Sequence, residues 1–122
     1  MVRTRESDQG ISLDYSLFDG DPEFMVEIVN LFLATYSDLL SDIDAAVLRQ
    51  DSEGLRRAAH TMKGAVSNFG AKAIVEQTIT IEDIGKIGDL AIAGEAALTL
   101  RTLMDRFVPQ LEAAAERTPC KA

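Results

Sequence analysis

Apolar residues return every three or four positions along four stretches of this chain, with polar runs between them. The first stretch opens at Asp21-Pro22-Glu23. There Asp21 can cap a helix, Pro22 suits the first helical position and Glu23 suits the positive end of the helix dipole. From Phe24 to about Arg49, one stripe joins Phe24, Ile28, Leu31, Phe32, Tyr36, Leu39, Leu40, Ile43 and Val47. This predicts a long amphipathic helix with room to bend partway. The run Arg49-Gln50-Asp51-Ser52-Glu53-Gly54 breaks it, and Asp51 or Ser52 can cap a second helix that reaches about Asn68 and ends at Gly70. Its seam is Leu55, Ala59, Met62, Val66 and Phe69, in steps of four, three, four and three.

The third stretch, residues 71–86, carries two signals. Gln77-Thr78-Ile79-Thr80-Ile81 alternates like a strand and is rich in β-branched residues. Yet Ile74, Thr78, Ile81 and Ile84 or Gly85 also fit a helical stripe, and no second strand exists to pair with, so a helix is predicted. Gly88 and Asp89 mark a turn. A last helix is expected from about Ala91 to Glu116, with Leu98, Leu100, Leu103, Phe107, Val108 and Leu111 in its apolar set and a kink or break at Pro109. Four amphipathic helices with short connections predict an all-α fold: an antiparallel four-helix bundle with a short N-terminal lead-in. It is expected over residues 13–116, flanked by flexible segments at 1–12 and 117–122. No internal repeat, low-complexity tract or second domain is visible.

Composition narrows what such a bundle can do. A chain of 122 residues suits one domain and buries roughly two-thirds of its unfolded surface, so it needs no metal or disulfide to fold. The net charge of −8 opposes a broad nucleic-acid or anionic-membrane surface. The single cysteine, Cys120, cannot form an internal disulfide and fits a reducing compartment. It reads as an exposed thiol in the tail and is too close to the end for prenylation. Residues 1–10 lack the apolar core of a signal peptide, and no run approaches about 20 uninterrupted apolar residues. A cytoplasmic protein is expected.

The chemistry gathers around the only histidine, His60. At about 100° per residue, with Leu55 as zero, the apolar seam of the second helix stays within roughly 40°. On the same wheel His60 falls near ~140°, Lys63 near ~80°, Gly64 near ~180°, Arg56 near ~100° and Ser67 near ~120°. The imidazole therefore faces away from the core. Glycine inside a helix costs about 1 kcal/mol relative to alanine, and at Gly64 it leaves the imidazole approachable. Lys63 puts a mobile ammonium beside it. Residues 49–72 hold Arg49, Arg56, Arg57, Lys63 and Lys72 against Asp51 and Glu53, a net +3, while the remainder of the chain carries −11. A positive patch on an acidic protein calls for an anion, with phosphate the natural candidate. An exposed histidine can equally be an ordinary polar surface residue.

The segment Ala59-His60-Thr61-Met62-Lys63-Gly64, with Gly70 ten residues after the histidine, resembles the motif of histidine-containing phosphotransfer (HPt) domains. These are the phosphocarriers of multistep two-component phosphorelays. The motif is a histidine, a hydrophobic residue at +2, then Lys-Gly, then a glycine at +10. The similarity extends over about residues 13–116, including Leu17 to Leu33, Asp51 to Gly64 and Gly88-Asp89-Leu90. It is weakest over Gln77 to Gly88, where the family carries a smoother helix-forming run.

The resemblance implies a carrier rather than an autonomous enzyme. His60 would accept a phosphoryl group from a receiver-domain aspartyl phosphate and pass it to another receiver. Lys63 would screen the phosphoryl oxygens and Gly64 would give the partner access. A residue of the third helix should hold the other ring nitrogen, Glu82 by position or Gln77 behind it; either could instead be a solvated surface group. Arg56 and Arg57 are docking charges or solvated helix residues. Ser67 and Asn68 are a surface and helix-end pair or partner contacts. Met25 belongs to an apolar docking surface or to the core. Expected partners are response-regulator receiver domains, a hybrid sensor histidine kinase, or both, with no nucleic acid and no membrane. The carrier itself is expected to be a monomer that binds no cofactor, with Mg²⁺ held by the receiver.

Other classes fit less well. The glycines of the segment Gly64 to Lys72 are one residue too far apart for a phosphate-binding loop, and no strand precedes them. Ser67 lacks a nucleophile-elbow pattern. One histidine and one cysteine do not make a zinc site. The rival is a helical adaptor that docks a receiver or kinase without being phosphorylated; it leaves Lys63 and Gly64 beside His60 unexplained.

Overall fold

The computed structural model describes residues 12–18 and 20–116. Most of both expected flexible segments, and Cys120 with them, lie outside the described residues. Four helices form the fold: α1 (Pro22–Arg49), α2 (Ser52–Ser67), α3 (Lys72–Ile87) and α4 (Ala93–Glu116). Single 3₁₀ turns at Tyr15–Phe18 and Leu90–Ile92 precede α1 and α4. Each helix packs on its neighbours in the ring α1–α2–α3–α4–α1, and the short connections make adjacent helices antiparallel.

Local chemistry sets the helix ends. The Asp21 side chain accepts from the Phe24 N–H and Pro22 occupies the first turn of α1. Gln50 closes α1 in the left-handed region at φ 56°. Asp51, rather than Ser52, caps α2 by accepting from the Gly54 N–H. Gly70, at φ +72°, turns the chain into α3. A Cβ there would fall 2.8 Å from Asp14 Cβ, because the lead-in folds over this turn and the Asp14 N–H donates to the Phe69 carbonyl. The strand-like Gln77 to Ile81 run is helical. Ile74, Thr78, Ile81 and Ile84 are buried together, and the Thr78 hydroxyl is satisfied by the Val75 carbonyl. Burial of that face outweighs the modest helix penalty of β-branched residues.

The core centres on Phe69, whose ring lies 5.3 Å from Phe32, 6.0 Å from Phe107 and 6.4 Å from Phe18 between centroids. All of the predicted α2 seam is buried. The α1 stripe is largely the expected one, with Phe32, Leu40 and Ile43 buried and Ile28, Tyr36, Leu39 and Val47 packed against the core, but it differs at its N-terminal half. Met25, Val29, Phe32, Leu40, Ile43 and Ala46 face inward, whereas Phe24 and Leu31 are exposed, as is Leu98 on α4. A helix long enough to curve over two partners does not keep one straight stripe, and spacing alone could not choose between adjacent apolar residues. Pro109 does not interrupt α4, which starts at Ala93 rather than Ala91 and runs through the proline to Glu116. By length and composition α1 could cross a membrane, but its outward side carries Glu27, Asp38, Asp42 and Asp44, and Asp44 pairs with Arg101 of α4.

Candidate functional site

His60 stands on the outward face of α2, in its third turn, with its side chain 62% exposed. The wheel argument holds: the residues on either side of it in the seam, Ala59 and Met62, are fully buried. Facing it from α3 is Glu82, one residue beyond the buried Ile81, with only 8% of its side chain exposed. Its two carboxylate oxygens are divided between the elements of α2. Oε2 lies 3.0 Å from His60 Nδ1, and Oε1 accepts from Lys63 Nζ at 2.9 Å.

This geometry fixes the histidine's chemistry. The hydrogen bond from Lys63 holds the Glu82 carboxyl below its ordinary value; burial pushes the other way, and the His60 contact adds to the lowering. At neutral pH Glu82 is therefore a carboxylate, which can only accept. In the neutral ring Nδ1 then carries the proton and the lone pair is on Nε2, the nitrogen turned away from Glu82. The result is an exposed, oriented nitrogen nucleophile backed by a fixed negative charge. A Cβ built on Gly64, one turn further along α2, meets nothing within 4 Å. The space beside the imidazole is open.

The other expected site residues divide. Lys63 is 30% exposed, and its ammonium is ion-paired with Glu82 in this structure. Gln77 does not reach the imidazole. It lies five residues before Glu82, on the side of α3 turned toward α4, and its Nε2 donates to the Ala96 carbonyl. Arg56 makes two hydrogen bonds to Glu53 on its own helix, and Arg57 Nη1 lies 3.6 Å from the same carboxylate. Ser67 donates to the Lys63 carbonyl, and Asn68 is exposed just after α2. Met25 is buried in the core, the second of its two expected placements, and not on a docking surface.

Sequence reasoning missed a groove between α1 and α2, about 220 Å³ in volume. It is lined by Ile28, Leu31, Phe32, Thr35, Ala65, Asn68 and Phe69. Ile28, Leu31 and Phe32 stood together in the α1 stripe, and spacing assigned all three to the core. A larger groove of about 410 Å³, lined by Ala45, Ala46 and Ala58 together with Asp42, Arg49 and Arg57 among others, does not include His60. Among the described residues no group of three or more potential ligands could hold a metal ion.

A four-helix bundle with one outward histidine, backed by a carboxylate and flanked by lysine and glycine, defines a phosphotransfer-type bundle. The Hpt domain profile matches residues 27–113, and the chain belongs to that family of histidine phosphotransfer carriers in phosphorelays. The solved structure of histidine-containing phosphotransfer protein B (HptB) from Pseudomonas aeruginosa PAO1 shares the fold. Its TM-score is 0.79 at 22% identity, covering 88% of this chain and 96% of that one. No curated protein matches.

Proposed function

We propose that His60 is the phosphorylated residue, taking a phosphoryl group from the aspartyl phosphate of one receiver domain and handing it to the aspartate of another. The observation that carries this reading is the contact between Glu82 and His60 Nδ1, which leaves Nε2 bare on an open surface. In the forward step Nε2 bonds to phosphorus while the bond from phosphorus to the aspartyl oxygen breaks. The aspartate carboxylate leaves with that electron pair. Nδ1 keeps its proton, and the positive charge that grows on the ring faces Glu82. The reverse step, onto a second receiver, follows the same path.

Lys63 would leave Glu82 Oε1 for the phosphoryl oxygens once these arrive, a movement its flexible stem permits. Gly64 keeps space for the receiver's pocket to close over the ring. The metal that stabilises charge on the transferring group would be Mg²⁺ held by the receiver, as the family resemblance implies. Arg57, Ser67 and Asn68 are exposed around the site, and with the apolar groove beside Leu31 they suit docking of a receiver or a hybrid sensor kinase. Such a carrier works in the cytoplasm and as a monomer.

The test is incubation with a phosphorylated receiver domain, wild type beside His60→Gln. Acid-labile, base-stable label on the wild type alone is expected, with unchanged helicity in His60→Gln because the side chain is exposed. Binding of cognate receivers without label would favour an adaptor that docks but is not phosphorylated.

A further inference from the structure

The contact that sets the spacing of α2 and α3 lies one turn from Glu82. Gly85 is buried three residues after Glu82 on α3. A Cβ built there would fall 2.6 Å from the Arg56 backbone nitrogen, 2.8 Å from the Ser52 carbonyl oxygen and 2.9 Å from Arg56 Cα. All three are backbone atoms of α2, so no side-chain rotation relieves the overlap. The helices would have to part. Arg56 is one turn before His60, and the two helices are antiparallel, so Arg56 with Gly85 and His60 with Glu82 are successive rungs of one ladder. The second rung depends on distances of 3.0 and 2.9 Å, and a hydrogen bond stretched beyond about 3.5 Å is lost.

We infer that Gly85 is a positioning residue: its missing side chain brings α3 close enough to α2 for Glu82 to hold the His60 ring in its reactive tautomer. The kinetic consequence rests on the phosphocarrier reading, whereas the effect on the ring can be read without any transfer. Gly94, at the start of α4, serves as the control. A Cβ there meets only Val47 Cγ1, at 4.0 Å, so Gly94→Ala leaves the α2–α3 spacing alone.

The experiment is ¹⁵N–¹H correlation spectroscopy of the imidazole at about pH 8.5, well above the reference value of about 6.5, together with single-turnover transfer from a phosphorylated receiver. Wild type and Gly94→Ala should show the Nδ1–H form. Gly85→Ala should redistribute the ring toward the Nε2–H form, and Gly85→Val should do so further. Transfer should slow about 10- to 100-fold, as expected for a misplacement near 1 Å, with receiver affinity kept. A wild-type tautomer in Gly85→Val would overturn the inference. A shifted tautomer in the variants, with no label even on the wild type, would uphold the positioning role and sink the phosphocarrier reading instead. If the Gly85 variants do not fold, Glu82→Asp withdraws the carboxylate by one methylene without touching the helix contact. The same tautomer shift is then expected, and an unshifted ring would overturn the inference.

Discussion

At the scale of single residues, the site combines an exposed group with a buried one. His60 is accessible, yet its orientation comes from Glu82, a carboxylate almost closed off from water and kept ionised by Lys63. That arrangement ties stability to pH. Lys63 holds the folded-state value of Glu82 below the 4.5 of an unfolded glutamate. Its contribution is therefore fully present above about pH 4.5 and is lost as pH falls through the lower, folded value. Urea midpoints taken from neutral pH downward should fall less steeply below pH 4.5 in Glu82→Gln than in wild type. Parallel acid limbs would show that the carboxylate is not held as described. Gly64 gives a prediction of opposite character. Nothing crowds a Cβ there, so Gly64→Ala should stabilise the bundle by about 1 kcal/mol through helix propensity alone, read from thermal melts. The same methyl stands where a receiver must approach, so phosphotransfer should slow. A variant both more stable and equally fast would remove the access role from Gly64.

At the scale of elements, α2 and α3 carry the chemistry, and α1 and α4 hold them in place. The α2 seam was readable in full, because Leu55, Ala59, Met62, Val66 and Phe69 leave only one way to face the core. The outward direction of His60 followed from that face, whereas Glu82 was expected beside it only through the family resemblance, with Gln77 as the alternative. The register of α1 was readable only in part. Where Phe24 and Met25, or Leu31 and Phe32, stand side by side, either set makes an acceptable stripe, and only the partner helices choose. The salt bridge that restrains Lys63 and the backbone contact at Gly85 were hidden for a related reason: both are distances between helices, which periodicity within one helix does not encode. Pro109 was expected to kink or break α4; it does not break it, and the missing bond is tolerated on an exposed turn between buried Val108 and Leu111. Pro109→Ala should therefore raise stability by roughly 1–3 kcal/mol, since a helix interior disfavours proline by about that upper figure. No gain in the denaturant midpoint would mean that α4 is already relaxed around the proline.

At the scale of the whole molecule, an acidic bundle presents one outward histidine inside a locally basic segment. The fold is shared with HptB at low identity, so what the two sequences hold in common is chiefly the arrangement of helices. The function proposed here rests on one nitrogen atom. The most direct measurement is ³¹P and ¹⁵N spectroscopy of ¹⁵N-histidine-labelled protein after phosphorylation by a receiver domain. The account predicts phosphorus bonded to Nε2 of His60, with Nδ1 still protonated toward Glu82. Phosphorus on Nδ1, or on any residue other than His60, would contradict it.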